Sequence, residues 1–268
     1  MADTTFKNPV SERFVTARMK GASLQEFPGE LPTTIAEAYA IQDESIRHWP
    51  DDVAGWKVGG VPPTYQEQFN ATRLAGPIFK SKVSHTDGPA VDIPVFDGGF
   101  AAVEGEIVLQ IARTVTPGTV DPQSDEVLSL VGAAHFGIEI AASPFIGIND
   151  LGPMSIISDF GNNGALIVGQ RIDDWATGAA VGRGMRVVVD GEEIGAAKLA
   201  PLEDGAIGAL RFLLANCEER GITLAEGTYV STGAVTGVHQ ASIGAVAEVH
   251  FEGTAPIHLT LSAMTKQA

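Results

Sequence analysis

Two long apolar segments in the middle of the chain constrain its fold more than any other feature. Residues 101–112 (AAVEGEIVLQIA) alternate between two faces, and residues 131–142 are apolar with a single acidic side chain. Alternation with a period of two is typical of β-strands. Because 31 glycines and 15 prolines also favour turns over long helices, the sequence predicts a fold built on largely buried strands.

Helices are expected mainly at the start of the chain. One begins near Ser11 and ends at Gly21, and a second opens at Thr34 with a capping box to Glu37 and stops before Pro50. Further elements are predicted as strands over 53–60, 228–232, 244–251 and 256–262, a hairpin over 185–194 that turns at Asp190-Gly191, and a helix over 206–220 that ends at Gly221. The predicted class is α+β with one large mixed sheet system, in which residues 1–60 form a helical region of the same unit as residues 61–268.

The composition excludes several classes of protein. The chain has 33 acidic residues against 17 Lys+Arg, a net charge of −16, and 44% hydrophobic residues, which is too apolar for a disordered chain. It has no run of Lys or Arg for nucleic acid and no apolar stretch of about 18 residues for a membrane. Its first residues lack an apolar h-region, so we expect no signal peptide. We therefore expect a cytoplasmic protein, in which the single cysteine, Cys217, is a small buried apolar side chain.

Glu104 and Glu106 lie in an apolar strand (AVEGEIVL) where two acids are unexpected. Residues i and i+2 of a strand point to the same face, about 6.5–7 Å apart. Two like charges there repel each other, and an apolar neighbourhood increases that cost. Gly105 between them allows close approach of another backbone. A divalent cation held by both carboxylates would remove the penalty, whereas an exposed edge strand would tolerate them without one.

Glu139 and Lys57 are two more charges in apolar surroundings. Glu139 lies in FGIEIA, with no Lys or Arg between residues 115 and 169, so it needs a cation or a basic partner from elsewhere. Lys57 lies in GWKVGG, where it is either buried with a role or a surface lysine whose stem covers apolar groups. His135, on the same strand face as Glu139, is interpreted as a hydrogen-bonded core histidine.

The order of these motifs is similar to that of a known family. From about residue 12 to the C-terminus the chain resembles the 2-keto-4-pentenoate hydratase family, the hydratase/decarboxylase branch of the fumarylacetoacetate hydrolase superfamily. The motifs that carry the resemblance are AYAIQ at 38–42, GWKVG at 55–59, VEGEI at 103–107 and IEI at 138–140.

The resemblance implies a mixed, rolled β-sandwich with peripheral helices and a site for Mg²⁺ or Mn²⁺. It implies Glu104, Glu106 and Glu139 as the metal ligands and Lys57 as the catalytic lysine. Three residues are expected to bind a small 2-oxo acid substrate: Asp159, Thr232 and Gly233. The family also implies a homo-oligomer.

The expected reaction is hydration of a 2-hydroxydienoate, or its 2-oxo-alkenoate tautomer, to a 4-hydroxy-2-oxo acid. Glu at position 139 resembles the hydratase/decarboxylase branch, since the C–C hydrolases typically have Asp there. Other positions depart from the family: the late helix lacks its Gly-His-Pro, and Phe160 and Pro144 replace residues of family motifs. The alternatives are therefore a 4-oxalocrotonate-type decarboxylase, a 2-keto-3-deoxy sugar acid dehydratase, an acylpyruvate C–C hydrolase and a weakly catalytic partner subunit that binds metal.

Overall fold

The computed structural model describes residues 5–86, 90–173 and 175–266, which form two β-sheets with helices around them. The helices are α1 (Pro9–Lys20), α2 (Ile35–His48), α3 (Pro63–Phe69), α4 (Glu126–Ser129), α5 (Pro153–Ser158) and α6 (Gly208–Arg220). The strands are β1 (Val53–Gly60), β2 (Arg73–Phe79), β3 (Val83–His85), β4 (Val91–Val95), β5 (Phe100–Ile111), β6 (Val131–Ser143), β7 (Asn163–Arg171), β8 (Gly184–Val189), β9 (Glu192–Lys198), β10 (Tyr229–Ser231), β11 (His239–Gln240), β12 (Val246–Phe251) and β13 (Ile257–Ala263).

Helix α2 begins where its capping residue predicts, whereas the predicted start of α1 is wrong. The capping box of Thr34 and Glu37 opens α2, as expected. Helix α1 begins earlier than predicted, because the side chain of Asn8 accepts the backbone N–H of Val10 at 2.9 Å and caps the first turn. Ser11 instead lies buried inside the helix, where its hydroxyl accepts a hydrogen bond from Ser45 at 2.8 Å.

The later elements also follow their local signals. Asp190 and Gly191 both adopt positive φ and connect β8 to β9 as a tight hairpin. The predicted helix at 206 starts as a turn of π-helix over Glu203–Ile207, and the α-helix begins only at Gly208. Gly221 ends α6 in the left-handed conformation, as expected.

The large sheet has eight strands in the order β2-β1-β10-β5-β6-β7-β3, and β11 pairs with β5. The two long apolar segments, β5 and β6, are antiparallel neighbours in its centre, with Glu104 opposite Glu139. The edge-strand interpretation of Glu104 and Glu106 is therefore wrong, because β5 is paired on both sides. Strand β1 pairs with β2 and β10, so the last part of the 1–60 region is integral to this sheet.

The second sheet has five strands in the order β4-β13-β12-β8-β9 and packs on one face of the large sheet. The main core lies between the sheets and includes Ile107, Ile138 and Val249. Gly105 faces this second sheet: a Cβ there would lie 2.7 Å from Sδ of Met185 and 3.2 Å from Cγ1 of Val249. The close approach predicted at Gly105 is therefore made by side chains, and the prediction of an approaching backbone is wrong.

The opposite face of the large sheet carries the charged residues of the site. Helices α1, α2 and α5 cover part of this face with a second apolar cluster, which includes Ala102 and Ala141 from the sheet. None of the described helices is long and apolar enough to span a membrane.

Candidate metal centre

Three buried carboxylates converge on one point of the large sheet. Glu104 and Glu106 on β5 and Glu139 on β6 each offer a carboxylate oxygen, and these oxygens lie within 4.8 Å of one another. The three side chains share one face because i and i+2 of β5 point the same way and Glu139 is the cross-strand partner of Glu104. The exposed fractions of the three residues are only 6%, 0% and 1%, respectively, so solvent does not disperse their charge.

One carboxylate oxygen of Glu106 and one of Glu139 already accept hydrogen bonds from the protein. Oε2 of Glu106 accepts hydrogen bonds from the hydroxyl of Ser231 and, at 3.1 Å, from the backbone N–H of Gly233. Oε1 of Glu139 accepts from Nδ2 of Asn163 at 2.9 Å. The other oxygen of each, Oε1 of Glu106 and Oε2 of Glu139, is buried with no hydrogen-bond partner among the described residues.

These two oxygens, which accept no hydrogen bond, are suited to a hard cation. A buried carboxylate oxygen without a hydrogen bond is costly, and Mg²⁺ and Mn²⁺ accept all-oxygen ligands from a few carboxylates. The donor set contains three carboxylates and no sulfur or imidazole. The residues present therefore fit a divalent cation.

Burial and mutual repulsion disfavour the ionised carboxylates when no cation is bound. Burial raises the pKa of Glu104 to about 8, with a further contribution from the charge of Glu139 and partial relief from Lys57. Burial also raises the pKa of Glu106 well above its usual range, and the charges of Glu139 and Glu104 act in the same direction. A cation at this point would reverse both effects.

Lys57 on β1 is the basic partner that Glu139 lacks in its own segment. Its Nζ lies 3.5 Å from Oε2 of Glu139 and donates to Oδ1 of Asn162 at 3.3 Å. Only 5% of Lys57 is exposed, so the interpretation as a surface lysine is wrong. Burial alone would lower its pKa, but the three carboxylates outweigh burial and raise it, so Lys57 is a cation at neutral pH.

The three residues expected to bind substrate occupy two different places. Thr232 and Gly233 follow β10 and lie beside Glu106: the Thr232 hydroxyl donates to the carbonyl of Ile107 at 2.7 Å. Asp159 is not part of the carboxylate cluster. Its oxygens are taken by Arg18, at 2.5 and 2.9 Å, and by the hydroxyl of Ser143 at 2.6 Å. Its role in substrate binding stays a prediction, with both oxygens occupied by the protein.

Four residues around the site were missed from the sequence. Ser231 precedes the Thr-Gly pair that was recognised. Asn162 and Asn163 lie between two glycines, where Asn162 ends the turn before strand β7 and Asn163 opens that strand. A polar pair at the start of an apolar strand could have indicated the two asparagines as site residues. Nothing in the sequence indicates Arg18, because it lies in an amphipathic helix. The residues to which it donates, Ala142, Asp159 and Asn163, are more than 120 residues away along the chain. His135, as predicted, is hydrogen-bonded: its Nδ1 lies 3.1 Å from the carbonyl of Gly169.

Comparison with known proteins gives a match in structure but not in sequence. No protein-family model and no curated protein matches this chain. Among solved structures, 4-oxalocrotonate decarboxylase from Pseudomonas putida G7, complexed with calcium and acetate, superposes with a TM-score of 0.76 over 94% of this chain and 95% of that one, at 18% identity. The chain has the fumarylacetoacetate hydrolase fold.

Two further solved structures also superpose on this chain. The same decarboxylase with magnesium and adipate gives a TM-score of 0.75 at 18% identity over 94% of this chain and 95% of that one. Fumarylpyruvate hydrolase from Pseudomonas aeruginosa, in complex with Mn²⁺ and pyruvate, gives 0.54 at 15% identity over 78% of this chain and 89% of that one. The predicted α+β class, a mixed β-sandwich roll with peripheral helices, is thereby confirmed.

Proposed function

We propose that this protein is a divalent-metal-dependent lyase that adds water to a 2-hydroxydienoate, or its 2-oxo-alkenoate tautomer, to give a 4-hydroxy-2-oxo acid. The observation that carries the proposal is the convergence of Glu104, Glu106 and Glu139 beside the buried cation of Lys57. Two oxygens of this cluster accept no hydrogen bond from the described residues. Such a set of buried charges is expensive to maintain and is typical of functional sites.

The charges of the site are matched to an anionic substrate. Three carboxylates would repel a 2-oxo acid, but a dication together with the Lys57 ammonium balances them. We propose Mg²⁺ or Mn²⁺ as the ion, held by Glu104, Glu106 and Glu139. When bound, it would supply Lewis-acid polarisation of the substrate's C2 oxygen.

Lys57 is placed to assist this chemistry with its own charge. Addition of water at C4 of a 2-oxo-3-alkenoate, with loss of one proton from that water, gives an enolate with negative charge on the C2 oxygen, and a proton taken up at C3 completes the hydration. The Lys57 ammonium, held by Glu139 and Asn162, would stabilise that charge or return a proton to it. Because Lys57 is buried, water does not screen this interaction.

Thr232 and Gly233 are the proposed contacts for the substrate carboxylate. They lie directly after β10, whose last residue, Ser231, donates to Glu106. A substrate that reaches the three carboxylates would therefore approach this loop. Asp159 would act on the substrate only indirectly, through the Arg18 network that fixes the start of β7.

One observation favours a lyase over a C–C hydrolase. Glu stands at position 139, where the C–C hydrolases of the superfamily that the chain resembles typically have Asp. Decarboxylation of a 4-oxalocrotonate-type substrate is the second candidate, favoured by the fold shared with that decarboxylase over nearly the whole length of both chains.

One assay separates the candidates. The purified protein is incubated with Mg²⁺ and 2-hydroxypenta-2,4-dienoate, and the loss of dienol absorbance is followed with mass analysis for the product carrying one added water. A parallel reaction with 2-oxohex-3-enedioate tests for release of CO₂. Metal-dependent hydration supports the proposal, CO₂ release alone would favour the decarboxylase, and metal binding without turnover of either compound would favour a non-catalytic metal-binding protein.

A further inference from the structure

Two consecutive asparagines flank the buried ion pair of Lys57 and Glu139. Asn162 presents Oδ1 to Nζ of Lys57 at 3.3 Å, and Asn163 donates from Nδ2 to Oε1 of Glu139 at 2.9 Å. Both residues are 5% exposed. Each member of the ion pair therefore has its own amide partner, although Lys57 and Glu139 lie on different strands.

An unusual backbone turn brings the two amides to this place. Phe160, Gly161 and Asn162 all adopt left-handed conformations, with φ of 54°, 64° and 54°. Such values are uncommon outside glycine, and asparagine tolerates them better than most residues. A run of three points to a backbone that its surroundings hold in place.

Aromatic rings and Arg18 hold the turn in place. Phe160 packs edge-on against Phe79 and Trp49, with ring centroids 5.0 and 5.6 Å away. Arg18 lies over the Phe160 ring, its Cζ 5.2 Å from the centroid, and pairs with Asp159 immediately before the turn. Arg18 also donates to the backbone carbonyl of Asn163 at 2.9 Å. The turn is therefore fixed at both ends.

The hydrogen bond from Asn163 fixes the orientation of the Glu139 carboxylate. It occupies one oxygen, Oε1, and leaves the other, Oε2, without a hydrogen-bond partner and facing Lys57. Without that donor, the plane of the carboxylate could rotate about its bond to the side-chain stem. Groups that orient a metal ligand in this way commonly change metal affinity 10–100-fold when they are removed.

We propose that Asn163 is a positioning residue for the metal centre, which holds the carboxylate of Glu139 in one orientation and is itself anchored by Arg18. The inference rests on the metal-dependent function proposed above and assigns to it a residue outside the three carboxylates and the lysine.

The test is calorimetric titration of Mn²⁺ into the intact protein. Asn163→Leu keeps a side chain of similar volume but removes the amide that donates to Glu139. Asn163→Ala removes both the amide and the volume, and Asn163→Gln keeps an amide donor on a longer stem. Asn216→Ala is the matched control, since Asn216 is also a buried asparagine with one charged partner, Arg220, but lies on α6. Thermal unfolding of each variant is measured alongside.

We expect the Leu and Ala variants to bind Mn²⁺ about 10–100-fold more weakly than the wild type. The Gln variant should bind more tightly than the Leu variant, and Asn216→Ala should retain wild-type affinity even where its unfolding temperature falls as far. Wild-type affinity in the Leu and Ala variants would overturn this inference alone. A wild-type protein that binds no Mn²⁺ would overturn the proposed function and this inference with it.

Discussion

Lys57 and Glu139 form a buried ion pair, Nζ 3.5 Å from Oε2, although two strands separate β1 from β6 in the large sheet. Three strand spacings in a flat sheet amount to about 14 Å, measured between backbones. Side chains that meet across this distance require a sheet curled toward them. The curl therefore creates the site, because it brings a lysine from the N-terminal part of the chain to carboxylates of the central strands.

Lys57→Met should lose the reaction while the metal-bound protein keeps its fold, because the dication compensates the buried charge of Glu139 that Lys57 otherwise pairs. The substitution keeps the length of the stem but removes the charge beside the C2 oxygen of the proposed substrate. We expect kcat/KM to fall by about 10²–10⁴, with Mn²⁺ affinity retained. Lys80→Met, at an exposed lysine, is the control. Full activity in Lys57→Met would make Lys57 a structural residue.

Metal binding should strengthen as the pH rises toward 8. Burial and the neighbouring Glu139 raise the pKa of Glu104 to about 8, so at neutral pH the cation must displace a proton from it. Affinity should rise by up to about tenfold per pH unit for each proton released, and level off only once Glu104 and Glu106, whose pKa burial also raises, are both ionised. Calorimetry of Mn²⁺ binding between about pH 6 and 8 measures this slope, and a flat profile would contradict the assignment.

The metal-free protein should show the opposite trend in stability. The pKa of Glu104 is higher in the folded chain than its ordinary 4.5, so the folded state holds more protons than the unfolded state between these values. Stability should then fall as the pH rises from about 4.5 to 8. Thermal unfolding with and without Mn²⁺ checks this, since the cation should remove most of the fall.

Removal of one partner of the Arg18–Asp159 pair should cost far more stability than removal of an exposed pair. Their side chains are 7% and 0% exposed, so Arg18→Met leaves a buried, uncompensated carboxylate. We expect the free energy of unfolding to fall by about 3–5 kcal/mol. The Arg113–Glu126 pair is 46% and 50% exposed, and Glu126→Gln should cost less than about 1 kcal/mol. Denaturant titration compares the two, and equal losses would contradict this view of the network.

Gly76→Ala should disturb the turn that carries Asn162 and Asn163. A Cβ at Gly76 would lie 2.1 Å from the backbone oxygen of Phe160, so the turn must move. We expect a loss of about 1–3 kcal/mol or more in denaturant titration. Gly60→Ala, on neighbouring strand β1, meets nothing within 4 Å and should be close to neutral. A neutral Gly76→Ala would show that the turn is not held against β2.

Much of the fold could be predicted because local signals and the final structure agree. Strand β1 occupies the predicted residues, and the cap at Thr34 and the turn at Asp190-Gly191 act as expected. The start of α1 was misplaced because Asn8 and Ser11 are both good caps, and only packing against Ser45 decides between them. The same limit explains Gly105, whose neighbours come from strands 80 and 144 residues later.

Some residues of the candidate site could likewise be predicted from the sequence, and others could not. Carboxylates in apolar strands are visible in a sequence because a charge there needs a reason, and the structure brings all three together. The partners of Lys57 and Asp159 are not visible, because Asn162 and Arg18 reach them through tertiary contacts over distances of 105 and 141 residues along the chain. Asp159 illustrates the difference: the family resemblance implied substrate binding, whereas its contacts are those of a buried ion pair.

The most direct test of the central claim is Mn²⁺ binding to the wild type and to Glu106→Gln. This substitution keeps the shape of the side chain but removes the charge of a ligand that is fully buried. We predict one Mn²⁺ per wild-type chain and an affinity at least about 100-fold weaker in Glu106→Gln, with Glu126→Gln unchanged as the control. Equal affinity in the wild type and Glu106→Gln, or no binding to the wild type, would contradict the assignment of a metal centre to these carboxylates.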